Sequence, residues 1–132
     1  MRTAFLVEDD AAIRSVLTEA LEELVEVKVV GWSGTEQGAI HWLELNPGAA
    51  DMVVLDLFLD SGSGLGVLSR FQQLAPAPRV IVLSNGATSL LRRSCMLLGA
   101  EAVYDKASDL DAFYAHCGAV PGREAAAGQP AH

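Results

Sequence analysis

Acidic side chains, one hydroxyl and one ammonium recur in this chain at one kind of place, the end of a short apolar run. Glu8, Asp9 and Asp10 follow residues 3–7, Asp56 follows residues 51–55, Ser84-Asn85 follow residues 79–83, and Lys106 follows residues 102–105. A carboxylate can attack phosphorus and form an acyl phosphate. Crowded carboxylates repel, and a divalent cation relieves that repulsion. Magnesium prefers oxygen ligands and keeps some waters, so one or two carboxylates plus a phosphate suit it. In such a site the metal offsets charge on the phosphoryl oxygens. Lys106 would balance the remaining charge and pair with a phosphoryl oxygen, and Ser84 would donate its hydroxyl to the finished group. Singly, each residue has a plainer explanation. Asp9 or Asp10 could cap a helix; Asp56, Ser84 and Lys106 could be solvated loop residues. Their joint placement is what argues for chemistry.

That placement depends on the elements carrying them. Runs at 3–7, 27–30, 51–55, 79–83 and 102–105 are rich in Val, Ile or Leu and predict five strands. Helical periodicity fills the gaps. Over 11–25 the apolar stripe is Ile13, Val16, Leu17, Ala20, Leu21 and Leu24. A second helix opens on a Ser33/Glu36 capping box, carries Ala39, Ile40 and Leu43, and stops at Asn46-Pro47-Gly48. A third carries Val67, Leu68, Phe71 and Leu74 and ends at Ala75-Pro76-Ala77-Pro78. A fourth covers about 88–98 and stops at Gly99, and a fifth runs from Ser108, with Asp111 as its capping partner, to about residue 117. Apolar strands alternating with helices predict an α/β fold: a doubly wound, five-stranded parallel sheet, flavodoxin-like, in the order 2-1-3-4-5. Lys28 inside the second run suits an edge strand. Neighbouring first and third strands would bring Asp9 and Asp56 together at the switch point.

Composition narrows the function classes. The 132 residues fit one domain, expected over 1–117, and 51% are apolar. Residues 118–132 lack periodicity and are expected to form a disordered tail. No apolar run reaches the ~18 residues of a membrane span, and the N-terminus turns acidic too early for a signal peptide. A cytoplasmic protein is expected. Seventeen acidic against nine basic residues give a net charge of −8, and the nearest thing to a basic cluster is Arg92-Arg93. Direct nucleic-acid binding is therefore not expected. Cys95 and Cys117 sit in helical patterns with no CxxC partner and are expected to be buried or half-buried thiols.

These motifs resemble bacterial response-regulator receiver domains of the single-domain, chemotaxis-regulator-like kind, over about residues 2–117. Leu6-Val7-Glu8-Asp9-Asp10 resembles the acidic pocket, and Asp51 to Leu57 resembles the phospho-acceptor strand, with Gly64 at the family's usual glycine. Val80 to Asn85 resembles the strand ending in the switch hydroxyl, and Leu98 to Lys106 the segment ending in the family's lysine. The resemblance implies that Asp56 is phosphorylated by a histidine kinase or phosphotransfer protein, and that the domain is no enzyme beyond assisting its own phosphorylation and dephosphorylation. It implies that Glu8, Asp9, Asp56 and the Phe58 carbonyl hold Mg2+, and that Ser84 and Lys106 contact the phosphoryl group. Three positions depart from the family: Ala107 and Asp60 stand where prolines are usual, and Val103 takes the switch aromatic's place, with Tyr104 next to it.

Rival readings are a phosphorylation-independent binding module, a haloacid-dehalogenase-type phosphatase and a flavodoxin-like cofactor carrier. The phosphatase would need an acid where Phe58 stands, and the carrier would not tolerate three acids after the first strand. Signalling output, to a downstream protein or through a homodimer, is expected on the fourth helix, fifth strand and fifth helix, with Tyr104 taking part. There Leu90, Leu91, Met96, Leu97 and Leu98 make a wider apolar arc than one core stripe needs. The arc is either a docking surface or a broad buried face.

Overall fold

The computed structural model describes residues 1–122. Five strands alternate with five helices: β1 (Arg2–Val7), α1 (Ala11–Leu24), β2 (Val27–Ser33), α2 (Glu36–Leu45), β3 (Met52–Leu55), α3 (Gly64–Phe71), β4 (Arg79–Ser84), α4 (Ser89–Leu97), β5 (Ala102–Asp105) and α5 (Leu110–Ala119). All strands are parallel, in the order β2-β1-β3-β4-β5. The expected architecture is the observed one.

Period-two alternation splits the core between the two sheet faces. Phe5, Val7, Val53, Leu55, Val80 and Val82 meet α2, α3 and α4 through Ala39, Leu43, Val67, Leu68, Phe71 and Cys95. Ala4, Leu6, Val54, Ile81 and Leu83 meet α1 and α5 through Leu17, Leu21, Phe113 and Cys117. Both cysteines are free and buried, and burial pushes the Cys117 thiol up to about 12. Lys28 is exposed on the edge strand β2.

Three local expectations are corrected. The cap of α2 is Thr35, whose side chain accepts from the Gly38 N–H, because β2 runs on through Ser33. Helix α5 begins after Asp109, which makes no side-chain cap bond because its Oδ2 instead accepts from the Asp105 N–H at 2.9 Å. The α1 stripe is narrower than its apolar residues: Leu17 and Leu21 are buried and Ile13 packs beside them, while Val16 and Leu24 are exposed. In α1 the face turned to the sheet is centred on the 13-17-21 line.

At the C-terminus α5 continues to Ala119, two residues past the expected boundary of the tail at 117, and Val120 is buried in the core. The remainder of that expected tail, 123–132, lies outside the described residues. Among the described residues no helix is long and apolar enough to cross a membrane.

Candidate functional site

The chemically able residues stand at or just past the carboxyl ends of the strands, and the sheet ladder continues to hold Glu8, Asp56 and Lys106. The Glu8 N–H donates to the Ser33 carbonyl at 3.0 Å, the Asp56 N–H to the Val7 carbonyl at 3.0 Å, and the Lys106 N–H to the Ser84 carbonyl at 3.2 Å. Parallel pairing of β1 with β3, β3 with β4 and β4 with β5 therefore sets these groups side by side. Gly64 completes the scaffold. A Cβ there would lie 2.3 Å from the Asp56 carbonyl oxygen and 2.5 Å from the Leu57 Cα, so only glycine lets α3 start this close.

Asp56 is the centre. Its Oδ1 accepts from the Ser84 hydroxyl at 2.8 Å and from the Phe58 N–H at 3.1 Å. Its Oδ2 accepts from the Lys106 ammonium at 3.1 Å, and the same ammonium donates to Glu8 Oε1 at 2.5 Å. Glu8, Asp56 and Ser84 are all buried. Asp9 lies nearer solvent, where its Oδ2 accepts from the Asp60 N–H at 2.6 Å. Among the described residues, one carboxylate oxygen from each of Glu8, Asp9 and Asp56 falls within 4.8 Å of the other two.

Electrostatics fit a cation. Three carboxylates face one ammonium, which leaves two negative charges uncompensated in a largely buried place. Burial pushes the Glu8 carboxyl above its usual range against the pull of its Lys106 hydrogen bond, and the Asp56 charge adds to the rise. For Lys106, burial would lower the ammonium's pKa, but the Glu8 hydrogen bond and the Asp56 charge outweigh it and raise the group above an ordinary lysine. The donor set is all oxygen, the preference of hard divalent cations. The residues present therefore fit such an ion.

The structure brings Glu8, Asp9, Asp56, Ser84 and Lys106 together. It does not bring in Asp10, which caps α1 by accepting from the Ile13 N–H, or Asn85, which is exposed. Phe58 contributes its N–H to Asp56 while its side chain is exposed. Lys106–Ala107 is trans, and Ala75–Pro76 is the one cis peptide among the described residues.

Two supporting features were not legible in the sequence. Arg14 donates to the Glu8 carbonyl at 2.7 Å and lies over the Trp32 ring, 3.6 Å from its centroid. Away from the site, Tyr104 and His116 Nδ1 share a hydrogen bond of 2.7 Å, His116 Nε2 meets Glu101 Oε2 at 2.6 Å, and Arg79 donates to Glu101 Oε1 at 2.8 Å. The one signal that could have found it is helix periodicity, which puts His116 one turn after the buried Phe113.

A doubly wound sheet with three acids, a hydroxyl and a lysine converging at its switch point defines a class. The chain belongs to the response regulator receiver domain family, which it matches over residues 4–117. It is thus a phosphoryl-accepting domain of two-component signalling. It is 34% identical over 99 residues to a protein-glutamate methylesterase/protein-glutamine glutaminase of Azospirillum brasilense, covering 72% of this chain and 24% of that protein. It is 31% identical over 109 residues to the DNA-binding transcriptional regulator NtrC of the same organism, covering 82% and 22%. The chain thus spans about a quarter of the length of these relatives. The response regulator domain of Thermotoga maritima CheB superposes with a TM-score of 0.75 at 21% identity, covering 92% of this chain and 98% of that one.

Proposed function

We propose that Asp56 is the phosphoryl acceptor of this receiver. One observation carries the reading: the Asp56 carboxylate alone touches both the Ser84 hydroxyl and the Lys106 ammonium while sharing the acid cluster with Glu8 and Asp9. A carboxylate oxygen of Asp56 attacks phosphorus. The P–N bond of a phosphohistidine on a sensor kinase or phosphotransfer protein breaks as the P–O bond forms, and the electron pair leaves on the imidazole. Glu8, Asp9, Asp56 and the Phe58 carbonyl would hold Mg2+, which when bound supplies charge neutralisation on the phosphoryl oxygens. Lys106 and Ser84 then give up Asp56 for phosphoryl oxygens, and that exchange of partners draws on the loops entering α4 and α5.

The output face is proposed on α4, β5 and α5, for a downstream protein or a second copy of this chain, in the cytoplasm. Leu91 and Leu98 pack into the core, whereas Leu90, Met96 and Leu97 are exposed, so the apolar arc is not simply a broad buried face. Val103 packs with the α4 side of the sheet and Tyr104 with the α5 side. Any part that Tyr104 plays therefore runs through α5 and not through the usual hydroxyl-to-aromatic path.

The test of the acceptor is incubation with acetyl phosphate and Mg2+ followed by intact mass and peptide mapping. The parent gains one phosphoryl adduct on the peptide bearing Asp56, and Asp56→Asn gains none. An adduct of equal yield on the variant would falsify the assignment. For the output face, Tyr104→Ala is expected to accept the phosphoryl group normally and to lose phosphate-driven association in sedimentation.

A further inference from the structure

The turn between β2 and α2 touches both acidic loops of the site. Gly34 backs onto Asp9: a Cβ at Gly34 would stand 3.3 Å from the Asp9 Cα. Thr35 forms an isolated parallel bridge with Ser61, and the Glu36 N–H donates to the Ser61 carbonyl at 3.2 Å. The Glu36 side chain then reaches further along the same loop, where Oε1 accepts from the Ser63 N–H at 2.8 Å.

Two glycines make room for that carboxylate. A Cβ at Gly62 would meet the Glu36 Cβ at 2.4 Å, and one at Gly66 would meet Glu36 Oε2 at 2.6 Å. Gly62 also has a φ of +84°, which a side chain would strain. Gly66 has no such backbone reason to be glycine, since it lies in the first turn of α3, where alanine is the better helix former. Its small size is explained by the Glu36 carboxylate lying against it. The clamped loop also carries Asp60, whose N–H holds Asp9 Oδ2 at 2.6 Å, and Phe58, whose N–H holds Asp56 Oδ1 at 3.1 Å.

We propose that Glu36 is a positioning residue that sets the site's cation affinity, by fixing loop 58–63 so that its backbone N–H groups orient the Asp9 and Asp56 carboxylates. The inference rests on the acid-pocket reading above. It works because a ligand whose orientation is set in advance needs no reordering when the ion arrives. What Glu36 supplies is a hydrogen-bond acceptor at Ser63, which an amide oxygen can also supply.

Three variants separate this from a general structural role: Glu36→Ala removes the acceptor, Glu36→Gln keeps one, and Gly66→Ala pushes the carboxylate off Ser63 while favouring the helix. Mg2+ binding by calorimetry is read together with the Ser63 amide resonance of the metal-free protein. Glu36→Ala should bind Mg2+ about fivefold more weakly, below the ~10–100-fold that losing a direct outer partner costs. Gly66→Ala should weaken binding in the same direction with no fall in melting temperature, and Glu36→Gln should stay within about twofold of the parent. The Ser63 resonance should move upfield in both alanine variants and hold in the glutamine variant. Saturating Mg2+ should restore the phosphorylation rate of Glu36→Ala. Parent-like Mg2+ binding by Glu36→Ala, or a glutamine variant as weak as the alanine one, overturns the inference and leaves Asp56 as acceptor untouched. A parent that binds no Mg2+ overturns the acid-pocket reading and this inference together.

Discussion

Two polar clusters lie at the carboxyl side of this sheet and along its β5 edge, and they are built on opposite plans. The Glu8–Asp56–Lys106 cluster is largely enclosed, with side-chain exposures of 13% or less, and its charges do not balance. The Arg79–Glu101–His116–Tyr104 chain is partly open, and each member along it is matched. A neutral imidazole with its proton on Nε2 satisfies both Tyr104 and Glu101. A complete network holds parts together, whereas an incomplete one leaves room for a cation or a phosphoryl group. The contrast teaches where reactivity resides: in the cluster whose residues lack enough partners among themselves.

The strongest way to break that contrast is to unbalance the first cluster further. Lys106→Ala strands two buried carboxylates, and removing one partner of such a pair costs about 3–5 kcal/mol at neutral pH. Urea titration should show that loss. It should shrink as pH falls through the raised range of Glu8, because the folded variant then binds a proton more readily than the unfolded chain. The variant should still accept a phosphoryl group, but with a smaller chemical-shift response than the parent's. A parent-sized response would remove Lys106 from the coupling. Next in size, Asp9→Ala should remain folded and lose roughly tenfold or more in Mg2+ affinity, seen by calorimetry.

The second cluster answers differently to pH. Burial pushes the Glu101 carboxyl up, but hydrogen bonds from His116 and Arg79 prevail and hold it below its usual value of 4.5. A depressed folded pKa gives stability that is present above 4.5 and is lost as pH falls through the folded value. Glu101→Gln should therefore cost about 1 kcal/mol at neutral pH, and the gap to the parent should close in acid. A gap that is constant with pH would deny the charge its part. Smallest of all, Tyr104→Phe should cost about 1 kcal/mol or less in urea and leave acetyl phosphate labelling unchanged.

Much of the fold and the site was legible because both follow from one-dimensional signals. Strands carry their own apolar runs, parallel sheets bind at strand ends, and so Glu8, Asp9, Asp56, Ser84 and Lys106 could be found by looking just past each run. What the sequence hid was competition between nearby partners. Ser33 and Thr35 both resemble caps, and only the length of β2 decides between them. Asp109 gave its side chain to Asp105 and not to its own helix. Val16 and Leu24 fit the α1 stripe yet miss the sheet. Glu36 resembled half of a capping box, but its carboxylate reaches Ser63, 27 residues away, which no local pattern encodes.

The ladder bonds at Glu8, Asp56 and Lys106 carry a further consequence. Each amide is engaged by an interstrand hydrogen bond that prolongs the sheet ladder by one rung beyond the strand's end. In hydrogen exchange these amides should be slower than the unpaired loop amides around them, with Lys106, on the edge strand β5, the fastest of the three. The pocket therefore has two kinds of anchor with different lifetimes: backbones that belong to the sheet, and an Asp9 carboxylate that follows the loop at Asp60.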